Sequence, residues 1–260
     1  MSSLSYTRKW EPYVWPLVTA VLLVVVWHYA VAWTKTTVFP SPLAVLRGAV
    51  QLANSGVLLK YVGDSLRRVG IGYLVAMALG IPCGLLLGWY PAAAQVVNPT
   101  IQMLRPISPL AWIPVAIILF GVGDLASAFL IFLASFFPIV VSAMDGVRNV
   151  PAMYRQAGRN FGLSPVQLLA RVVLPAALPQ MLVGLRIALG IAWLVVVAAE
   201  MIASNSGLGY LVIDARNSGK RYDLVVAAML IIGLIGLVLD LVFRRAETLK
   251  SIKWGFRDAT

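Results

Sequence analysis

Six stretches of this chain are long and apolar enough to cross the hydrocarbon core of a bilayer, near residues 13–33, 66–89, 99–121, 125–144, 178–202 and 224–243. A helix rising 1.5 Å per residue needs about 20 residues to cover about 30 Å. Backbone groups in lipid must be satisfied internally, and runs this long and continuously apolar do not suit the alternating strands of a barrel. The expected fold class is therefore an all-α polytopic membrane protein. Composition agrees, since 60% of the residues are hydrophobic, only 12% are charged and the mean hydropathy is +0.88, which excludes an ordinary soluble domain.

A net charge of +11 would point to nucleic acid in a soluble protein. Here the basic residues flank the spans and describe membrane orientation instead, with no nucleic acid partner. If the loop after Asp145 is cytoplasmic, an even number of spans puts both termini inside, together with Arg8, Lys9, Arg244, Arg245, Lys250, Lys253 and Arg257. The bias is modest, because Lys35, Arg47, Lys60, Arg67, Arg68, Arg216, Lys220 and Arg221 fall on or near the outer side. Ala30-Val31-Ala32 mimics a signal-peptidase site, but the apolar run before it is long and Trp33 continues it, so the first span is read as retained. Thr34 to Lys60 has room for a surface helix opened by Pro40-Ser41-Pro42. Cys83 and His28 each stand alone, so no disulfide framework, Cys/His metal cluster or metal site is expected, and Cys83 reads as a small packing residue. Neither a second domain nor an internal repeat is visible, and the missing repeat counts against a transporter built from inverted halves. Residues 1–260 are read as one transmembrane domain.

Between the fourth and fifth spans lies a polar, basic, helix-forming loop, YRQAGRNFGLSPVQLLARVVLP, from Tyr154 to Pro175. Pro151 suits the first turn of a short helix, Ala157 and Gly158 leave a small-residue patch, and Gly162 can close the helix. A second helix starts at once, with Ser164 as N-cap, Pro165 at the first helical position, Gln167 completing a capping box and Leu163 stapling to Leu168. Pro175 marks a kink or a stop.

This segment resembles the cytoplasmic EAA loop of permease subunits in binding-protein-dependent ABC importers. That pattern is Glu-Ala-Ala, three residues, Gly, nine residues, Ile, one residue, Leu-Pro. Aligned on Gly162, the opening positions are held by Gln156, Ala157 and Gly158, and the closing ones by Val172, Leu174 and Pro175. Gln156 replaces the acidic residue and Gly158 the second alanine, so no role is carried over for a carboxylate at the first position. Nearly the whole chain after the first span carries the likeness. SLRRVGIGYLVAMALGIPCGLLLGW, MLRPISPLAWIPVAIILFG, FFPIVVSAMDGVR, LPAALPQMLVGLRIALGIAW and VAAEMIASNSGLGYL are similar to permeases of the nitrate, bicarbonate, taurine and aliphatic sulfonate importers.

The resemblance implies a type I ABC importer permease fold with about six transmembrane helices. Residues 66–245 would be the importer core and 151–175 the cytoplasmic coupling-helix loop, in the plasma (inner) membrane of a prokaryote. It further implies a second permease subunit, read as a homodimer, two cytoplasmic ATPase subunits and an extracytoplasmic solute-binding protein, all around the lipid bilayer. Ser108 is similar to the nitrate and bicarbonate members and SNSGLGYL to the sulfonate members, and the same branch also handles other small organic solutes, so the resemblance leaves the substrate open. Coupling to the ATPase is assigned to Tyr154, Arg155, Gln156, Ala157, Gly158, Arg159, Phe161 and Gly162. Helix spacing gives Tyr154 and Phe161 an apolar contact, and lets Arg155 and Arg159 meet acidic groups.

ATP would be bound by the partner, with no cofactor of the chain's own. A phosphate-binding loop ends in Lys-Ser or Lys-Thr, whereas Gly219-Lys220 is followed by Arg221. No catalytic residue is assigned. An ATP-independent, proton-coupled or passive carrier is the alternative, using Glu200, Asp145 or Asp240 as a relay.

Three spans carry further signals. Gly80, Gly84 and Gly88 form a doubled GxxxG stripe around Pro82, which lets another helix approach closely, within this chain in preference to another subunit. Pro106, Pro109 and Pro114 break the third span, and unwound backbone at membrane depth survives only where it is buried or lines a cavity. That makes Arg105, Ser108 and Trp112 candidates for a substrate pathway wall, the alternative being a kink that shapes packing. Arg186, Trp193 and Glu200 recur every seven residues on the fifth span, within about 40° of one face over roughly 21 Å. A charge at the bilayer centre costs about 2.5–3.5 kcal/mol, so this face should meet protein or water. The two sets are expected to face each other across a central cavity, with Arg105 or Arg186 drawing in an anion. A structural ion pair, with Asp145 or Asp240 as the arginine's partner, is the other reading of Arg186, and a structural pair is also the other reading of Glu200.

Overall fold

The computed structural model describes residues 11–34 and 39–247. Arg8, Lys9, Lys35, Lys250, Lys253 and Arg257, invoked above for orientation, lie outside them. All regular structure among the described residues is helical: α1 (Glu11–Thr34), α2 (Pro42–Asn54), α3 (Val57–Trp89), α4 (Pro91–Leu104), a 3₁₀ turn (Pro109–Trp112), α5 (Ile113–Phe120), α6 (Asp124–Arg148), α7 (Ala152–Asn160), α8 (Pro165–Leu168), a π turn (Leu169–Val173), α9 (Leu174–Ala203), α10 (Leu208–Asn217) and α11 (Tyr222–Glu247). Five helical segments are long and apolar enough to cross a membrane, and α4 with the 3₁₀ turn and α5 makes a sixth span if that bent pair is counted as one. The all-α polytopic class stands.

Three boundaries differ from the sequence reading. The second span starts at Val57 rather than near 66, giving 33 helical residues or about 50 Å, more than a bilayer requires. Its early turns carry Lys60, Asp64, Arg67 and Arg68, which broke the apolar run although lysine and arginine are good helix formers. The third span is two helices bent by 83° between Leu104 and Pro109. Pro175 does not stop the helix: a π turn over Leu169–Val173 precedes it, Pro175 stands in the first turn of α9, and α9 runs on to Ala203.

The chain divides into two compact units. One comprises residues up to 58 with 212–230, and the other 59–211 with 231 onward. In the first, Ser41 caps α2 by accepting from the Ala44 N–H at 3.3 Å, as the Pro-Ser-Pro opening predicted. Val45, Gly48 and Leu52 form its buried face. Gly48 lets the backbone of Asp223 approach, a Cβ there standing 3.1 Å from the Asp223 carbonyl oxygen. Arg221 donates to Asp223 and, at 2.8 Å, to Gln51 Oε1. The Trp27 indole donates to the Pro40 carbonyl at 3.2 Å.

The second unit is built on α6 and α9 packed along each other, with α3 laid against α6. The glycine stripe makes that approach possible. A Cβ at Gly84 would strike the Val140 carbonyl and Ala143, and one at Gly88 would lie 2.6 Å from Val147 Cβ. Gly72 repeats the device against Ala128 and Ile131. The stripe therefore serves packing within one subunit, where dispersion between close backbones replaces the hydrophobic driving force that lipid does not supply. Tyr73 adds a buried hydrogen bond from its hydroxyl to the Leu185 carbonyl at 2.8 Å, joining α3 to α9. Around the α6–α9 seam, Ala116, Ala126, Leu130 and Ala199 close one core cluster and Ala143, Val147, Val173 and Ala177 another.

Candidate functional site in the α7 loop and a mid-span cavity

The loop after α6 folds as its local grammar dictates. Pro151 stands at the N-cap of α7 with extended backbone, and Gly162 takes a φ of 74°, the left-handed turn that a side-chain-bearing residue resists. Its N–H bonds the Arg159 carbonyl at 2.9 Å and closes the helix. Ser164 and Gln167 then make the capping box, the serine hydroxyl accepting from Gln167 N–H at 3.3 Å and the glutamine Oε1 accepting from Ser164 N–H at 3.0 Å.

The candidate coupling residues divide into two groups. Tyr154, Gln156, Ala157, Arg159, Phe161 and Gly162 are exposed, and with Met153 and Val166 they leave an apolar patch on the outside of the loop. Phe161 is 86% exposed, a large ring on a surface that none of the described residues covers. Gly158 is buried and turned the other way. A Cβ on it would strike Leu168 and lie 3.4 Å from Leu163, so it is small because the next helix packs onto it. Arg155 also turns inward, contrary to the expectation that it reaches for acidic groups outside. Its Nη2 donates to the carbonyls of Val147 and Arg148, capping the negative end of α6 and tying α7 to it.

In the second unit, Arg105 and Trp112 line a cavity of about 300 Å³ beside the break in the third span, and Ser108 is not among its lining residues. Its other walls include Leu133, Ala134, Phe137 and Pro138 of α6 and Ile191 of α9. At 1.5 Å per residue Leu133 is about 14 Å from one end of α6 and Pro138 about 15 Å from the other, so the cavity sits at mid-span. Among the described residues neither the Arg105 guanidinium nor the Trp112 indole N–H has a hydrogen-bond or ion-pair partner.

The seven-residue series on α9 lies elsewhere. Trp193 donates to the Ile232 carbonyl of α11 at 3.1 Å and packs on Gly236. Arg186 bonds Glu247 at 3.2 Å and lies 3.9 Å from Asp240, the acid expected for it, while Asp145 takes no part. Glu200 is fully buried and bound on every side. It accepts from both Ser65 Oγ and Arg68 Nη1 at 2.8 Å, and from Gly209 N–H at 2.9 Å. Arg68 in turn donates to Asp124, to the Ser206 carbonyl and to Ser206 Oγ, each at 2.7 Å. Arg105 and Trp112, Arg186 and Trp193, and Glu200 thus occupy three separate places, since seven-residue steps keep a face but shift depth by about 10 Å each. Among the described residues of one chain, Arg105 and Trp112 line one cavity, Arg186 and Trp193 line another, and Glu200 is held by Ser65, Arg68 and Gly209.

Arg68 and Ser65 were missed as partners of Glu200. They stand more than 130 positions away in the chain, and the only signal was the excess of charge at the start of the second span.

The fold defines an all-helical protein with five or six segments long and apolar enough to cross a membrane and an exposed, capped helix pair between α6 and α9. Residues 80–249 match the model of the binding-protein-dependent transport system inner membrane component, and the chain belongs to that family. It is 41% identical over 232 residues to an ABC transporter permease protein of Methanocaldococcus jannaschii, covering 87% of this chain and 86% of that one. It is 36% identical over 254 residues to the taurine transport system permease TauC of Escherichia coli, covering 92% and 91%. Over 179 residues it is 38% identical to the nitrate import permease NrtB of Leptolyngbya laminosa, covering 69% and 64%. A chain of the MetNI methionine ABC transporter in an inward-facing conformation superposes with a TM-score of 0.65 at 19% identity, covering 75% of this chain and 96% of that one, and shares the type I importer permease fold.

Proposed function

We propose that this chain is the permease subunit of an ATP-driven importer that moves a small anion of the nitrate, bicarbonate, taurine or sulfonate type into the cytoplasm by alternating access. The observation that carries the reading is the exposed apolar and basic surface of α7, held by a capped helix pair and tied through Arg155 to the end of α6. A cytoplasmic ATPase subunit closing on ATP would grip Tyr154, Ala157, Arg159 and Phe161 and pull α6, and with it α9, between inward and outward access. The chain itself supplies no ATP site; the partner binds the nucleotide. Two permease copies, read as a homodimer, would enclose the pathway, an extracytoplasmic binding protein would deliver the solute, and both termini with residues 151–175 would lie in the cytoplasm. The relay that a proton-coupled carrier would need is not supported by Glu200, whose carboxylate is fully engaged by Ser65, Arg68 and Gly209. Uptake of labelled taurine and nitrate into vesicles holding the assembled complex, with and without ATP inside the compartment of α7, tests the reading. Uptake that ignores ATP would overturn it.

A further inference from the structure

We propose that one side of α4 is a water-exposed wall of the solute pathway in the half nearer α7, where Gln95, Asn98 and Gln102 form a ladder of neutral amides that hydrogen-bonds a polar solute in transit. The inference rests on the permease reading and assigns residues to a part of the pathway that the break after Leu104 does not reach.

The placement of α4 comes first. Ala94 and Ile101 are buried in one cluster with Leu87 of α3 and with Val140 and Met144 of α6. Leu104 lines the cavity beside Phe137 and Pro138. The helix therefore climbs along α6 from the α7 end to mid-span, about 21 Å for its 14 residues, and it carries no charged residue.

At about 100° per residue its sides separate. Ala94 and Ile101 fall within about 20° of each other and make the packed side. Val96 and Met103 also fall within about 20° of each other, nearly opposite, and both are exposed apolar groups suited to lipid. Gln95, Asn98 and Gln102 share a sector of about 60° between those two sides. Gln95 and Gln102 are exposed and Asn98 is half-buried.

Two observations turn that sector toward water. None of the three amides has a hydrogen-bond partner among the described residues, and Asn98 Oδ1 is buried without one. Pro99 has no N–H, so the Gln95 carbonyl loses the donor that an uninterrupted helix supplies. Hydrocarbon would leave all of these groups unsatisfied, whereas water or a polar solute satisfies them. Neutral amides both donate and accept, so they engage a passing solute without holding it as tightly as a charged site would.

The test uses the full chain assembled with its ATPase subunit in membrane vesicles whose α7 side faces the medium, with Cys83→Ala as background. Gln95→Cys, Gln102→Cys, Val96→Cys and Met103→Cys are made singly and treated with a charged, membrane-impermeant methanethiosulfonate. The thiolate reacts and forms in water, so the rate reports hydration. Gln95→Cys and Gln102→Cys should react at least tenfold faster than Val96→Cys and Met103→Cys. A double Gln95→Leu, Gln102→Leu variant should lose ATP-driven uptake of labelled taurine or nitrate, whichever the parent imports, at least fivefold with ATPase retention unchanged. Gln95→Asn with Gln102→Asn should recover part of that loss. Equal reaction rates at the four positions, or wild-type uptake by the double leucine variant, overturns the proposal. So does a Gln102→Cys thiol that resists the reagent and joins two copies by a disulfide under mild oxidation, the mark of a direct seam between subunits. ATP dependence of uptake by the Cys83→Ala parent reports separately on the permease reading.

Discussion

Arg68 on α3 and Glu200 on α9 form a buried ion pair, Nη1 to Oε1 at 2.8 Å, with side chains 3% and 0% exposed. The pair joins the two helices to the start of α6 through Asp124 and to the turn before α10 through Ser206, at the end of the second unit opposite α7. Each charge is tolerable only because the other is present. Removing one partner should therefore cost about 3–5 kcal/mol, whereas replacing both with apolar residues of similar size leaves no stranded charge. Arg68→Gln and Glu200→Leu should each lower the thermal midpoint sharply in detergent, and the Arg68→Met, Glu200→Leu double variant should lose less than the sum of the singles. Strictly additive losses would show that the two residues are not coupled.

The glycines of α3 give a paired test on one helix. Gly84→Ala drives a methyl into the Val140 carbonyl and should destabilise by about 1–3 kcal/mol. Gly70→Ala meets nothing within 4 Å and should be neutral or stabilise by up to about 1 kcal/mol through helix propensity. Thermal unfolding of the two variants side by side checks this, and equal effects would contradict the packing described.

Arg155 is assigned a positioning role, holding α7 against the last carbonyls of α6. Arg155→Gln should leave the ATPase bound, since the exposed face of α7 is unchanged, but should lower solute uptake per ATP hydrolysed several-fold. Arg155→Lys, which keeps one donor, should recover part of the loss. An unchanged transport-to-hydrolysis ratio would remove this role.

Orientation can be read across α9 alone. With Cys83→Ala as background, cysteine at the exposed Asn205 should react with an impermeant thiol reagent in intact cells, and cysteine at the exposed Gln167 should react only after the membrane is opened. The reverse pattern would invert the topology.

Much of this was legible because it is local. The apolar runs set the helical class, Ser164, Pro165 and Gln167 specified a helix start from adjacent residues, and the prolines after Arg105 announced a break. What escaped was long-range. Nothing near Glu200 names Arg68 as its partner, and nothing in the loop says that Arg155 turns back to α6 while Arg159 stays exposed. Gly158 shows the same limit from the other side: its smallness was visible, but only the fold shows that the neighbour demanding it is Leu168 of the same chain.

The central claim is that the outer face of α7 receives the motor. Phe161 is the largest apolar group on that face, and burying its ring against a partner is worth about 2 kcal/mol or more. The most direct measurement is ATP-driven uptake by the reconstituted complex carrying Phe161→Asp, with retention of the ATPase subunit followed on the same sample. The account predicts that ATPase retention and uptake both fall at least tenfold while the thermal stability of the isolated chain is unchanged, because the Phe161 ring is 86% exposed among the described residues. Normal retention with normal coupled uptake would contradict it.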